Sequence, residues 1–451
     1  MRYVYLDHAA TTPLRPEVRD AMAPFFDERF GNPSSMHRWG RQARNALEEA
    51  RERVAAAIGA KRREIVFTGS GTEADNIAVL GRWRSFCRTS GRAAVSNGGH
   101  HDGGSHRGGS GHHETGGSHE AGGSHETGGH HQTGGSHQTG GSHETGGHHE
   151  TGARATSGGA VVCTAIEHKA VGAAAQCAAA EGAPLILLGV DEAGRVQLDA
   201  LGEALAADPC IVSIMWANNE VGTIQPVSEI GERCREAGVT FHTDAVQAFG
   251  KVPVRVDTTP CDMLSLSAHK IGGPKGIGAL YIREATTVLP LLFGGGQERE
   301  LRPGTENVAS AVGFATAAEL AVAEREAEVA RIMALRTQLE DGLRRVASDV
   351  VINGPRGGDR LPNIVNVTVP GADQEGLLIG LDLEGIAASG ASACASGAVK
   401  ASHVLVAMGA LGPDDASVRL SIGRTTTEEE IARAVEAFGH VVAQLRIEAG
   451  F

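Results

Sequence analysis

Between Val95 and Val161 the chain contains no Val, Ile, Leu, Met, Phe, Trp, Tyr or Cys. A segment without such side chains has almost nothing to bury, so the core must come from the stretches on either side. From Gly116 to Thr151 the segment is six consecutive copies of Gly-Gly-(Ser/His)-His-(Glu/Gln)-(Thr/Ala). Glycine and polar residues at that density predict a disordered, solvated insertion, assigned to residues 96–157. A structureless loop of this length normally counts against the domain around it. Here the flanks 85–91 and 160–168 join naturally across the gap. Loop-closure entropy grows only slowly with length, so a surface connection can carry the insertion.

Outside it, short apolar runs alternate with segments of helical periodicity. Residues 40–59 carry Ala43, Ala46, Leu47, Ala50, Val54, Ala57 and Ile58 at helical spacing, and Gly59 supplies a stop. Ile65–Thr68 reads as a buried strand running into Gly69-Ser-Gly-Thr72 and a helix. The same order recurs at 160–165 and 169–181, at 185–188 and 198–206, and at 211–216 and 227–237. Residues 239–242 and 263–266 add strands. This alternation predicts an α/β fold with a mostly parallel sheet between helices. A long helix over 306–346 should lead into a smaller α+β domain holding 363–369, 374–383 and 428–445. The expected division is a large domain over 16–305, interrupted by the insertion, and a small domain built from 1–15 and 306–451.

With 451 residues, 41% of them hydrophobic, there is material for two domains. A net charge of −13 argues against nucleic acid as a partner. No apolar run approaches a membrane span, and the start reads directly into a strand instead of a leader. The seven cysteines lack C-x-x-C spacing, which argues against a disulfide scaffold and for a reducing cytoplasm. Six of them lie in apolar segments and read as small buried hydrophobes. Cys394 differs, being set among Ser, Gly and Ala over 389–397 in a loop expected to be exposed, where a thiolate can reach a bound substrate.

Two further segments carry chemistry. Lys270 lies in Ser-Leu-Ser-Ala-His-Lys-Ile-Gly-Gly-Pro-Lys-Gly (265–276), and Asp244 lies upstream in His-Thr-Asp-Ala-Val-Gln (242–247). A lysine amine that forms a Schiff base with an aldehyde, and an acid that keeps a pyridine nitrogen protonated, are what pyridoxal 5'-phosphate (PLP) chemistry requires. Gly71 and Thr72 stand at a strand-to-helix turn, where backbone N–H groups and the helix dipole favour an anion. Ser267 and His269 add donors beside it. His168 follows a strand at the end where α/β folds bind ligands.

Together, and in this order, these segments resemble the fold-type I PLP enzymes, specifically cysteine desulfurases with a long catalytic-cysteine loop. The likeness runs from Tyr5-Leu-Asp-His-Ala-Ala-Thr-Thr-Pro13 to Arg419-Leu-Ser-Ile-Gly-Arg424. It implies that Ser267 and His269 contact the phosphate and that Thr305 reaches the phosphate of a neighbouring subunit, hence a homodimer. It implies that His168 stacks on the ring and moves protons, that Gln247 bonds the ring hydroxyl, and that Asn219 lies near ring and substrate. Arg419 would grip the substrate carboxylate, where a planar fork suits bidentate pairing. The implied reaction takes L-cysteine to L-alanine, leaves a persulfide on Cys394 and passes its sulfur to an acceptor protein. The purpose would be iron–sulfur cluster, thio-cofactor or tRNA biosynthesis. A selenocysteine lyase or sulfinate-processing relative would share the cofactor site and differ in its dependence on the cysteine. Phe451 follows the last helix directly, without the extension by which some members bind an iron–sulfur scaffold, so the acceptor stays open.

The histidine repeat prompts a reading of another class, a metal-binding or storage protein on the same scaffold. Thirteen histidines lie between His100 and His149, including the pairs His100–His101, His112–His113, His130–His131 and His148–His149. Neutral imidazole ligates Ni²⁺, Zn²⁺ and Cu²⁺, and ordering a glycine-rich chain around the ion keeps each site weak. Deleting residues 98–152 should leave folding, PLP content and desulfurase rate intact while removing most Ni²⁺ or Zn²⁺ uptake. Calorimetric metal titration of both proteins checks it; equal uptake would end the chelation reading.

Overall fold

The computed structural model describes residues 3–91, 159–390, 401–412 and 414–448. The histidine repeat and the 391–400 segment that carries Cys394 lie outside the described residues. The strands, numbered along the chain, begin with β1 (Val4–Tyr5), β2 (Ile65–Thr68), β3 (Val161–Thr164), β4 (Leu185–Leu188), β5 (Ile211–Ser213) and β6 (Phe241–Asp244). They continue with β7 (Met263–Ser267), β8 (Gly278–Ile282), β9 (Val351–Asn353), β10 (Ile364–Val369), β11 (Ile386–Ala387) and β12 (Ala416–Ser421).

Seven of them form one sheet in the order β2-β8-β7-β6-β5-β3-β4. Six run the same way and β8 runs against its neighbours β2 and β7, so the architecture is the expected α/β one with a mostly parallel sheet. Parallel strands must be covered on both faces, and the side chains divide accordingly. Val66, Val161, Cys163, Ile211, Met263 and Leu280 pack towards the helices Gly71–Thr89 and Lys169–Ala180. Their sequence neighbours Ile65, Phe67, Val162, Val212, Leu264 and Tyr281 face the opposite core.

A second, antiparallel sheet has the order β12-β10-β9, and its core joins Val365, Val367, Val418 and Leu420 to Leu339, Phe438 and Val442. The helix Val308–Val346 links the two cores: Phe314 and Ala318 pack in the first, Leu335 and Leu343 in the second. Val4 and Leu6 also belong to the second core, and β1 pairs with β11.

Strand β8 was not expected from the sequence. It opens on Gly278, where a Cβ would lie 2.6 Å from the Leu266 carbonyl oxygen and 2.6 Å from the Ser70 carbonyl carbon. The close approach demands glycine, and glycine weakens the strand pattern. Of the six cysteines expected to be buried, Cys87, Cys163, Cys210, Cys234 and Cys261 are, but Cys177 is exposed. Its helix buries Ala170, Val171, Ala174, Ala175 and Ala178, which leaves Cys177 on the outer side. No described helix is long and apolar enough to cross a membrane.

One buried ion pair braces β2 beneath the turn that follows it. Arg51 donates to both carboxylate oxygens of Glu298 at 2.6 and 2.7 Å, and Glu298 accepts from the Phe67 N–H at 2.8 Å. Glu298, Arg299 and Glu300 hold φ of 46°, 58° and 63°, a left-handed run costing about 1–3 kcal/mol per residue outside glycine. The pair therefore secures a strained turn as well as a strand. Glu298→Ala should destabilise the fold by about 3–5 kcal/mol, because it strands the Arg51 charge in the interior. Chemical denaturation reads this directly, and a loss below ~1 kcal/mol would show that the pair does not brace the turn.

Candidate active site

The parallel strands end on one side of the sheet, and nearly all the expected residues sit there or in the turns that follow. After β2, Gly69 and Ser70 turn the chain into the helix Gly71–Thr89, and Ser70 Oγ caps it by accepting from the Glu73 N–H at 3.1 Å. A Cβ on Gly71 would lie 2.8 Å from Val246 Cγ2, so glycine is needed where the turn meets the segment after β6. Ser267, at the end of β7, has a buried hydroxyl with no partner among the described residues. The helix N-terminus, Thr72 and Ser267 together form a seat for an anion. His269 Nδ1 lies 3.1 Å from Thr11 Oγ1, and burial and then Lys270 push the imidazole down to about 4. It is neutral at pH 7.

Asp244 ends β6 and accepts from the Val246 N–H at 2.9 Å. Burial raises its carboxyl, while His168, the Val246 N–H and Lys270 pull the other way. His168 caps the helix Lys169–Ala180 and is lowered chiefly by burial. Gln247 donates through Nε2 to the Ala9 carbonyl at 2.9 Å, and its Oε1 is buried without a partner among the described residues. Lys270 sits in the short turn after β7, and its Nζ donates to the carbonyls of Ala9 at 2.5 Å and Ala10 at 2.7 Å.

Arg419, on β12, approaches from the second sheet. It donates to Asp7 Oδ1 at 2.7 Å and to the Asn219 carbonyl at 2.9 Å, while its buried Nε has no hydrogen-bond partner among the described residues. Asn219 is presented by a turn that Asn218 folds: Asn218 Oδ1 accepts from the N–H groups of Glu220 and Val221 at 2.8 and 3.0 Å.

These groups border one cavity of about 370 Å³: Gly71, Thr72, His168, Asn219, Asp244, Gln247, Ser267, His269, Lys270 and Arg419 all line it. Thr305 does not; it is exposed in the stretch before the Val308–Val346 helix. Cys394 lies outside the described residues, but Gly390 before its segment and His403 after it both line the cavity. A second cavity of about 310 Å³ shares only Lys270 with the first and is bordered by His8, Lys251, Asn363 and Ile332. The larger one collects the helix N-terminus with Ser267, the buried Asp244 carboxyl, Lys270 and Arg419, so it is the candidate site.

Sequence reasoning missed several lining residues, among them Asp75, Lys169, Glu220 and His403. Asp75 could have been flagged, since Glu-Ala-Asp-Asn follows the glycine turn directly. Glu167, beside His168, is pushed up to about 8 by burial and accepts from Thr164 Oγ1 at 2.6 Å and the Met215 N–H at 3.0 Å. It carries its proton at pH 7 and fixes the turn that presents His168. Ser402 donates to Glu220 at 2.5 Å, tying the far end of the 391–400 segment to the Asn219 turn.

Comparison with known proteins agrees with this geometry. The family described as aminotransferase class-V matches residues 4–102 and 148–434. The chain is 39% identical over 446 residues to the cysteine desulfurase IscS of Dictyoglomus turgidum, covering 99% of this chain and 96% of the relative. It is 38% identical over 448 residues to the cysteine desulfurase NifS of Azotobacter vinelandii, covering 99% and 94%. Among solved structures, a NifS-like protein superposes with a TM-score of 0.78 at 30% identity, over 98% of this chain and 100% of that one. With its fold-type I architecture, the chain belongs to the class-V aminotransferase family of PLP-dependent enzymes, among its cysteine desulfurases.

Proposed function

We propose that this protein holds PLP in the 370 Å³ cavity and converts L-cysteine to L-alanine, keeping the sulfur as a persulfide on Cys394 for an acceptor protein in iron–sulfur cluster or related biosynthesis. The observation that carries the reading is the set of unsatisfied buried atoms around that cavity. Ser267 Oγ, Gln247 Oε1 and Arg419 Nε have no hydrogen-bond partner among the described residues, and such atoms are costly unless a ligand completes them. Their positions suit a phosphate, a ring hydroxyl and a carboxylate, so the residues present fit PLP and an amino acid.

When bound, PLP supplies an electron-withdrawing ring that acidifies the α-proton of the attached amino acid. Ser267, Thr72 and the helix N-terminus would hold the phosphate, and His168 would border the ring. Asp244 keeps the ring nitrogen protonated. Lys270 Nζ, which borders the cavity, would hold the aldehyde group of the cofactor and would take the substrate's α-proton. Arg419 orients the substrate carboxylate, itself oriented by Asp7 and the Asn219 carbonyl. The Cys394 thiolate would attack the substrate's Sγ: an S–S bond forms as the Cβ–Sγ bond breaks, its electron pair stays on Cβ and takes the proton of the substrate thiol, and return of the α-proton from Lys270 completes alanine. A homodimer that brings Thr305 of one subunit to the other's phosphate completes the proposal.

Incubating the protein with L-cysteine, quantifying alanine and mapping the persulfide by mass spectrometry tests it. Lys270→Ala should lose the absorbance of bound PLP and all turnover; a borohydride-reducible adduct at another lysine would overturn the assignment. Cys394→Ser should keep the cofactor spectrum and its response to L-cysteine but lose sulfur transfer. Wild-type transfer by that variant would sink the persulfide step, and undiminished action on selenocysteine alone would mark a lyase. Arg419→Lys should raise KM for L-cysteine about 10- to 100-fold, the loss of a charged hydrogen bond worth ~1.5–3 kcal/mol.

A further inference from the structure

Asp75 stands beside the proposed ring site with no role in the reaction just described. It is 1% exposed, Asp244 is 7% exposed, and carboxylate oxygens of both lie with a His168 nitrogen in a group no more than 4.8 Å across. Asp75 Oδ1 has no hydrogen-bond partner among the described residues although the residue lines the cavity. We propose that Asp75 is the proton-exchanging partner of Asp244: it carries a proton in the protein without cofactor and releases it to solvent when a protonated ring nitrogen is bound at Asp244. The inference rests on the PLP reading.

Two buried carboxylates this close do not both ionise without compensation, and the compensation is unequal. Asp244, from β6, has the Val246 N–H, His168 and Lys270 favouring its charged form. Asp75, from the helix Gly71–Thr89, is pushed well above the ordinary range by burial and by Asp244; Glu167 adds to this, and a hydrogen bond from Ser265 does not offset it. The nearest imidazole gives no help. His242 Nε2 lies 3.8 Å from Asp75 Oδ1, but its two nitrogens lie 2.8 Å from Ser213 Oγ and 2.9 Å from Ser265 Oγ, and burial pushes it down to about 3. Asp244 is therefore the carboxylate of the pair and Asp75 the acid.

A pyridinium cation reverses the balance, because its attraction favours the ionised form of both neighbours. The proton leaves the Asp75 carboxyl for water and the ring nitrogen keeps its own. The pair and ring then carry one net negative charge, as the pair did before binding. Asp75 is a positioning residue in this sense: it acts on the ring through charge beside Asp244.

The test compares full-length wild-type and Asp75→Asn proteins, both stripped of PLP. Each is titrated calorimetrically with PLP at pH 7 in two buffers of different ionisation enthalpy, which gives the number of protons released. Contributions from Lys270, the phosphate and the ring cancel in the difference. Wild type should release about one proton more than the variant and bind PLP about 10-fold more tightly. Equal proton release overturns the proposal. If Asp75→Asn does not fold, infrared difference spectra of wild type decide instead: a protonated-carboxyl band should disappear on loading, and an unchanged band overturns the proposal. A wild-type protein that takes up no PLP would instead bring down the cofactor reading beneath it.

Discussion

The segment Asp7–Thr12 is the constraint on which the site depends. Its backbone offers carbonyls to Lys270 and Gln247 through Ala9 and Ala10, and its Asp7 side chain holds Arg419. Thr12 donates to the His269 carbonyl at 2.7 Å and accepts from the Gly272 N–H at 2.9 Å, clasping the lysine turn from both sides. At its other end, the Ala9 N–H donates to Ser421 Oγ on β12. One turn-forming segment, closed by the Ala10 N–H donating to the Asp7 carbonyl at 3.0 Å, thus ties the first sheet's lysine to the second sheet's arginine. Small side chains make this possible, since larger ones at 9 and 10 would fill the cavity that the carbonyls border.

The site and its surroundings also collect buried carboxyls that no fold would gather for stability alone. Asp75, Glu167, Asp244 and Glu220 are all buried carboxyls with raised pKa, and desolvation is the first cause for each. Three of them also accept hydrogen bonds that favour the charged form against burial: Glu220 from Ser402, Glu167 from Thr164 and Met215, Asp244 from Val246. Pairs of acids whose surroundings push them apart are how one pocket keeps a carboxylate and a carboxylic acid side by side. The arrangement is expensive in isolation, and a cationic ligand beside Asp244 would offset part of that cost.

Much of this was legible in the sequence because its signals were local. Strands β2 to β7 announce themselves as short apolar runs, and the helix at 38–58 as a 3.6-residue repeat closed by Gly59. Lys270, Asp244 and His168 could be named because each lies in a short contiguous motif, at or shortly after a strand end, that carries the family resemblance. What escaped was non-local. Strand β8 is obscured by a glycine that a neighbouring backbone requires, and β12 holds polar Ser417, Arg419 and Ser421 that are buried only by pairing and by the 7–12 strip. Asp75 looks like an ordinary polar residue in the first turns of a helix. Only the fold brings its carboxyl beside Asp244, and its missing partner becomes visible only when every neighbour is in place.

The same topology explains how the chain accommodates 65 positions, 96–160, whose only apolar side chains are alanines, inside its first sheet's sequence. The interruption falls between the helix Gly71–Thr89 and β3. That helix begins at the cavity, where Gly71 and Thr72 line the wall, and its 19 residues carry the chain about 27 Å away before the insertion starts. The chain re-enters at Gly159, whose N–H donates to the Asp208 carbonyl, just before the N-terminal end of β3. Because ligand groups gather where parallel strands end, the beginning of β3 is the side of the sheet furthest from them. Both anchors therefore lie at the end remote from the site. An insertion there lengthens one helix-to-strand connection and not the turns that hold Thr72, His168, Asp244 and Lys270.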